Sequence, residues 1–149
     1  LIARSMFMTL TAVFGTAFLA ATILPFSSEV VVAAALADDT IGRVALWTVA
    51  TAGNTLGAAV NWGLGRYATQ FRDRQWFPAS QGQMDKAEAW FNRYGVWSLL
   101  MAWLPLGGDA LTVIAGILRV RFDVFLILVA IGKGARYAAV IAGVDALLF

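Results

Sequence analysis

Apolar residues in this chain run in blocks too long for an ordinary soluble core. Residues 6–37 form one block, broken at Pro25; residues 46–64 form a second. Residues 95–118 form a third, broken at Pro105-Leu106-Gly107-Gly108, and residues 122–148 a fourth. A helix needs about twenty apolar residues to cross a bilayer, so the second and fourth blocks each predict a full span. The first is long for one crossing and short for two. It predicts a re-entrant hairpin, in which a half-helix descends to about the midplane, breaks at Leu24-Pro25, and returns as a second half-helix from Ser27 or Ser28. The third block predicts another.

The two halves of the chain repeat one another. Leu24-Pro25-Phe26-Ser27-Ser28-Glu29 is matched eighty positions later by Leu104-Pro105-Leu106-Gly107-Gly108-Asp109. The same offset pairs Gly15 with Gly95, Leu19 with Leu99, Leu46 with Leu126, and Gly63 with Gly143. Matches of Ala and Val come cheaply in an apolar chain, but the paired L-P-x-x-x-acid does not. Repeats with proline- or glycine-broken apolar segments in corresponding places point to a transporter-like site near the midplane.

One hairpin plus one span crosses the bilayer once, so the second copy starts on the opposite face and the repeat is inverted. A full span over 95–118 would make it parallel instead. The positive-inside rule separates the two. With hairpins, Arg66, Arg72, Arg74, Lys86, Arg93, Arg119 and Arg121 share one face, against Arg4 and Arg43 on the other. With full spans, Arg119 and Arg121 move to the sparser face and the asymmetry weakens. The expected fold is therefore an all-α integral membrane protein. It is a single membrane domain over 1–149, with repeat 1 at about 14–66, a cytoplasmic amphipathic linker at about 67–93 and repeat 2 at about 94–146.

The linker carries its own helix. Ser80-Gln81-Gly82-Gln83 has the form of a capping box, with Pro78 in the preceding turn. Met84, Ala87, Phe91 and Tyr94 then form one apolar stripe opposite Asp85, Lys86, Glu88, Asn92 and Arg93. This suits a helix lying flat on the membrane surface; a helix packed on a soluble partner is the alternative.

Composition narrows the chemistry. The 149 residues are 60% hydrophobic and 13% charged, with a mean hydropathy of +0.75. These values place the chain among membrane proteins. No charged n-region, short apolar core and cleavage site open the sequence, so no signal peptide is expected. The absence of Cys and His excludes disulfide and thiolate chemistry, imidazole bases, and His-ligated metals. No metal and no cofactor are expected, and no enzyme activity. A net charge of +2 gives no case for nucleic acid as a partner.

Four ionisable residues fall at membrane depth: Glu29, Asp109, Lys133 and Arg136. Each costs roughly 2.5–3.5 kcal/mol or more at the centre of a lone helix, so each should face protein or water and have a partner. Lys133 and Arg136, three apart, share one helix face. The simplest arrangement sets that face against the hairpin tips, where Glu29 and Asp109 neutralise it. On a structural reading the two acids only cap the returning half-helices, with Ser28 and Gly108 as turn residues. On a functional reading the same half-helix N-termini bind an anion, phosphate especially. Gly107 and Gly108 then let it approach the backbone, Lys133, Arg136 and Ser28 receive its headgroup, and Glu29 and Asp109 carry protons as a gate. Gly53 and Gly57 form a small-xxx-small pair suited to close helix packing. Asn54 and Asn61 share a face and either line a cavity or bridge helices. Arg119, with Arg121, is an interface anchor or lines the cytoplasmic mouth of the cavity. Asp123 and Asp145 read as interfacial.

These motifs resemble the DedA family of VTT-domain (SNARE-associated) membrane proteins, and within it the short YqaA-like branch. The resemblance rests on A-T-I-L-P-F-S-S-E-V-V (21–31), G-N-T-L-G-A-A-V-N-W-G-L-G-R (53–66), W-F-N-R-Y-G (90–95), L-P-L-G-G-D (104–109) and G-K-G-A-R-Y (132–137). It implies an inner-membrane protein with two opposed re-entrant loops. It also implies movement of lipids, either undecaprenyl phosphate or phospholipids such as phosphatidylethanolamine. The family's membrane acid falls on Glu29. Where larger members carry an arginine in the second loop this chain has Asp109, so that arginine's role is unassigned or passes to Lys133 or Arg136. The expected partners are membrane lipids and protons. A small-solute transporter and a non-transporting scaffold are the rival functions, and the sequence leaves open whether copies form a homo-oligomer.

Overall fold

The computed structural model describes residues 2–21, 28–37, 41–67, 80–103 and 108–148, all helices and their connecting turns. Six α-helices follow in order: α1 (Ile2–Ala21), α2 (Ser28–Ala35), α3 (Arg43–Tyr67), α4 (Gln81–Tyr94), α5 (Gly108–Ile117) and α6 (Phe122–Leu148), with a 3₁₀ segment, Gly95–Met101, between α4 and α5. The proline breaks themselves, at 22–27 and 104–107, lie outside the described residues.

Among the described residues two helices, α1 and α6, are long and apolar enough to cross a membrane. The 46–64 block expected to span lies in α3, whose asparagines, threonines and glycines keep it from being one of them. The apolar residues of α6 are spread around its circumference and are interrupted at mid-length by Lys133 and Arg136. The 20 residues of α1 rise about 30 Å, the thickness of a hydrocarbon core. That exceeds the half-helix expected for the first arm of a hairpin, because nothing between Ile2 and Ala21 interrupts helical hydrogen bonding. The helices that follow the two proline breaks in sequence are short: 8 residues in α2 and 10 in α5.

α3 is the axis of the molecule. It packs against α1, α5 and α6, and its buried face carries Ala50, Gly53, Gly57, Ala58, Asn61 and Gly65 at helical spacing. Small residues here let backbones meet. A Cβ on Gly53 would fall 2.5 Å from the Phe14 carbonyl oxygen of α1. Gly65 and Gly116 form a reciprocal contact between α3 and α5: a Cβ on either would overlap the other helix's backbone, at Val113 or Trp62. This is the packing mode that membrane helices use in place of a hydrophobic driving force.

α3 and α6 run antiparallel. Arg43 at the start of α3 pairs with Asp145 near the end of α6, and Trp62 near the end of α3 packs at a tilt against Phe122 and Phe125 at the start of α6. Two cores result, sharing these helices. One gathers Val13, Val32, Leu36, Leu46, Tyr137 and Ile141; the other gathers Phe91, Leu99, Leu111, Val113, Phe125 and Val129.

α4 starts as its sequence predicts. Ser80 Oγ accepts from the Gln83 N–H at 3.2 Å while Gln83 Oε1 accepts from the Ser80 N–H at 3.0 Å. Its apolar face, however, is spent inside the protein: Met84, Ala87 and Phe91 are buried in the second core against α5 and the 3₁₀ segment. Only Trp90 and Tyr94 remain substantially exposed at its edge. The interfacial helix of the sequence reading is thus a packed element, because the nearest apolar surface is the chain's own. α5 ends with Arg119 at φ 60, where the N–H groups of Arg119 and Val120 donate to Gly116 and Ala115. This is a Schellman cap built without glycine, and Arg119 is exposed in it.

Gly116→Ala is expected to lower stability by about 1–3 kcal/mol, because the Trp62 backbone cannot yield. Gly63→Ala, which meets nothing within 4 Å, should be neutral or stabilising by up to about 1 kcal/mol. Thermal unfolding of both variants in detergent checks the contrast.

Candidate functional site

Lys133 lies mid-way along α6 and is 4% exposed. Gly132 beside it touches the 3₁₀ segment, where a Cβ would fall 2.6 Å from the Leu100 carbonyl oxygen. That close approach fixes the turn of α6 that aims Lys133 inward. Its ammonium donates to Asn54 Oδ1 on α3 in a short hydrogen bond. Asn54 Nδ2 in turn donates to the Ala17 carbonyl of α1 at 2.7 Å. One amide therefore joins three helices and supplies an acceptor to a buried cation.

Arg136, one turn on and half-buried, projects to a different neighbour. Its Nη1 donates to the Trp103 carbonyl at 2.8 Å, at the end of the turn that follows the 3₁₀ segment. Both cations lie within electrostatic range of Asp109, the second residue of α5. Asp109 is half-buried, and its own carbonyl accepts from Thr112 Oγ1 at 2.6 Å. Thr112 accepts from Asn61 Nδ2 of α3 at 3.3 Å. Gly108 sits against the Ala102 backbone, so closely that a side chain there would overlap it. Glycine at this position brings the start of α5 up to the preceding turn.

The structure thus brings Asp109, Lys133, Arg136, Asn54 and Gly108 to one region. Asn54 and Asn61 both bridge helices. Glu29 occupies in α2 the position Asp109 occupies in α5, second in its helix; the side chains of Ser28 and Glu29, and the whole of Gly107, lie outside the described residues. Arg119 stands apart, at the opposite end of α5 from Gly108, about 15 Å of helix away.

Three residues escaped the sequence reading. Thr51 and Thr55 lie on the buried face of α3 with Asn54, each 8% exposed, and neither hydroxyl has a hydrogen-bond partner among the described residues. A helical threonine usually returns its hydroxyl to the carbonyl four residues back, as Thr48 does to Val44. Trp47 is the third: its indole N–H donates to the Gly134 carbonyl at 2.7 Å, closing the α3–α6 seam beside Thr51. The signal for the threonines was present, since Thr51, Asn54 and Thr55 share one helical face. Among the described residues, no group of Asp or Glu could hold a metal.

Comparison with known proteins fits this arrangement into a family. The model of the VTT domain matches residues 2–145. The chain belongs to the VTT-domain family. It is 36% identical over 135 residues to the inner membrane protein YqaA of Escherichia coli, covering 91% of this chain and 90% of that one. The YqaA protein of Shigella flexneri matches equally. A Haemophilus influenzae protein is 37% identical over 135 residues, 86% of this chain and 82% of its own length. No solved structure matches. The chain is therefore a protein of the bacterial inner membrane, and the two helices of spanning length are its candidate membrane spans.

Replacing Asn54 by Leu is expected to cost about 1–3 kcal/mol or more, because it strips an acceptor from a buried charge and a donor from the Ala17 carbonyl. Thr51→Val and Thr55→Val should leave stability unchanged or raised, since they remove buried hydroxyls that have no partner among the described residues. Detergent melting curves of the three variants distinguish an amide that holds the fold from hydroxyls that do not.

Proposed function

We propose that the protein is a DedA-type transporter that moves a phosphate-bearing lipid, undecaprenyl phosphate or a phospholipid, between leaflets in exchange for protons. The observation that carries this reading is a buried ammonium, Lys133, in the same region as the acidic start of α5 and the Arg136 guanidinium. A cation held at membrane depth is functional by default. The start of a helix adds backbone N–H groups suited to phosphate. On this reading Lys133 and Arg136 receive the headgroup, and Asp109 and Glu29 take up a proton on one side and release it on the other. The hydroxyls of Thr51 and Thr55 are spare donors for phosphate oxygens.

The antiparallel course of α3 and α6, with α5 packed on α3 and α2 packed on α6, supports an inverted repeat whose two acids are equivalent. Such repeats pass access from one side to the other by rocking one half against its counterpart. The chemistry asked of the site is binding and proton exchange only. We read the protein as a carrier rather than an enzyme.

Proteoliposome transport of a fluorescent lipid tests the reading. Glu29→Gln and Lys133→Ala should each abolish proton-driven translocation while circular dichroism stays helical. Undiminished transport in both variants removes the proposed site, and transport of a small solute in place of lipid removes the substrate class.

A further inference from the structure

Two threonines of α3 depart from what the other threonines of the described helices do. Thr9, Thr11, Thr16 and Thr48 each donate the side-chain hydroxyl to the carbonyl four residues back, at 2.7 to 3.1 Å. Thr112 donates three back, to the Asp109 carbonyl. Thr51 and Thr55 make no such bond, although the same α-helix offers them the carbonyls of Trp47 and Thr51. Both residues are 8% exposed, and neither hydroxyl has a hydrogen-bond partner among the described residues. Leaving a buried hydroxyl unpaired is costly, and one rotation about its Cα–Cβ bond would restore the local bond. A polar group outside the helix is therefore needed to hold each hydroxyl where it points.

The two hydroxyls flank the anchor of the buried cation. Asn54, whose Oδ1 receives the Lys133 ammonium, follows Thr51 by three residues and directly precedes Thr55. Gly134, the neighbour of Lys133, faces Thr51 across the seam, where a Cβ would fall 3.6 Å from Thr51 Cγ2. Residues four apart on a helix have Cβ atoms about 5–6 Å apart. One water, at about 2.8 Å from each of two oxygens, closes a gap of that size. Charge argues against a metal ion, which would meet an ammonium and, among the described residues, no cluster of acids. A water suits both hydroxyls, since all three groups donate and accept, and a buried water makes about three hydrogen bonds.

We propose that Thr51 and Thr55 jointly hold a buried water beside the Lys133–Asn54 bond. The water keeps a lysine at membrane depth hydrated, so that its ammonium can leave Asn54 Oδ1 for a water oxygen without losing an acceptor. This site stands whether or not a lipid moves; where one does, a phosphate oxygen takes the place of the water. Valine at both positions removes the hydroxyls and the water together, which spares stability.

X-ray hydroxyl-radical footprinting of the full chain in nanodiscs tests the assignment, because radiolysis of a bound water oxidises the side chains around it even when they are buried. The reporter is Tyr137, one turn beyond Lys133, 2% exposed and in the same core as Ala50. The reference is Phe125, fully buried in the other core. Wild-type protein should be oxidised at Tyr137 well above Phe125, after correction for intrinsic reactivity. Thr51→Val combined with Thr55→Val should lose that excess and keep the melting temperature. Thr51→Ser combined with Thr55→Ser keeps both hydroxyls and should retain the excess, even where the valine pair folds poorly. Equal oxidation of Tyr137 and Phe125 in the wild type overturns the assignment. So does an excess that persists unchanged in a folded valine pair.

Discussion

An ammonium group cannot remain inside a membrane-spanning helix unless neighbouring helices bring oxygen to it. Most of this structure follows from meeting that demand for Lys133. Asn54 of α3 supplies one acceptor and spends its remaining donor on the Ala17 carbonyl of α1, so a single side chain ties α1, α3 and α6. The cost of burying a charge is several kcal/mol even after relaxation. Helices that did not converge here would therefore leave a far less stable protein. The buried lysine thus decides which helices must meet.

Convergence of that kind needs backbones close together, and the chain achieves it by removing side chains. Gly53 against α1, Gly65 and Gly116 between α3 and α5, Gly108 against the turn at Ala102, and Gly132 against the 3₁₀ segment all mark places where a Cβ would collide with a neighbouring backbone. These contacts lie along α3 or beside the Lys133 region. Close packing and site assembly are one arrangement: the glycines set the spacing at which Asn54 reaches Lys133 and Asp109 comes within range of both cations. Larger residues would push the helices apart and leave the charges without oxygen.

The charged groups divide into two regions with different chemistry. Around Lys133 one buried ammonium, a half-buried guanidinium and a half-buried carboxylate lie near threonine hydroxyls that have no hydrogen-bond partner among the described residues. At the end of the α3–α6 seam, Arg43 and Asp145 are partly exposed and face an apolar trough. Trp47 lies between them, bonded to Gly134, with Thr51 directly behind it. A partly exposed pair contributes little to stability.

Block length in the sequence determined the helical class and the spanning helix α6, because a bilayer demands about twenty apolar residues. The other helix of spanning length is α1, where the sequence predicts a half-helix, and not the 46–64 block of α3. The capping box at Ser80 determined where α4 starts, for its hydrogen bonds are local. The three-residue spacing of Lys133 and Arg136 determined that they share a face. Only the tertiary structure decided what each of them meets. Arg136 turned to the Trp103 carbonyl and Lys133 to an asparagine that the sequence could equally have assigned to a cavity wall. It also decided that α1 runs a full 30 Å, that the stripe of α4 packs on α5 instead of lipid, and that Arg119 caps a helix far from the cations. In each case the sequence specifies an apolar face or a charge needing cover, and which neighbour provides the cover depends on contacts between residues far apart in the chain.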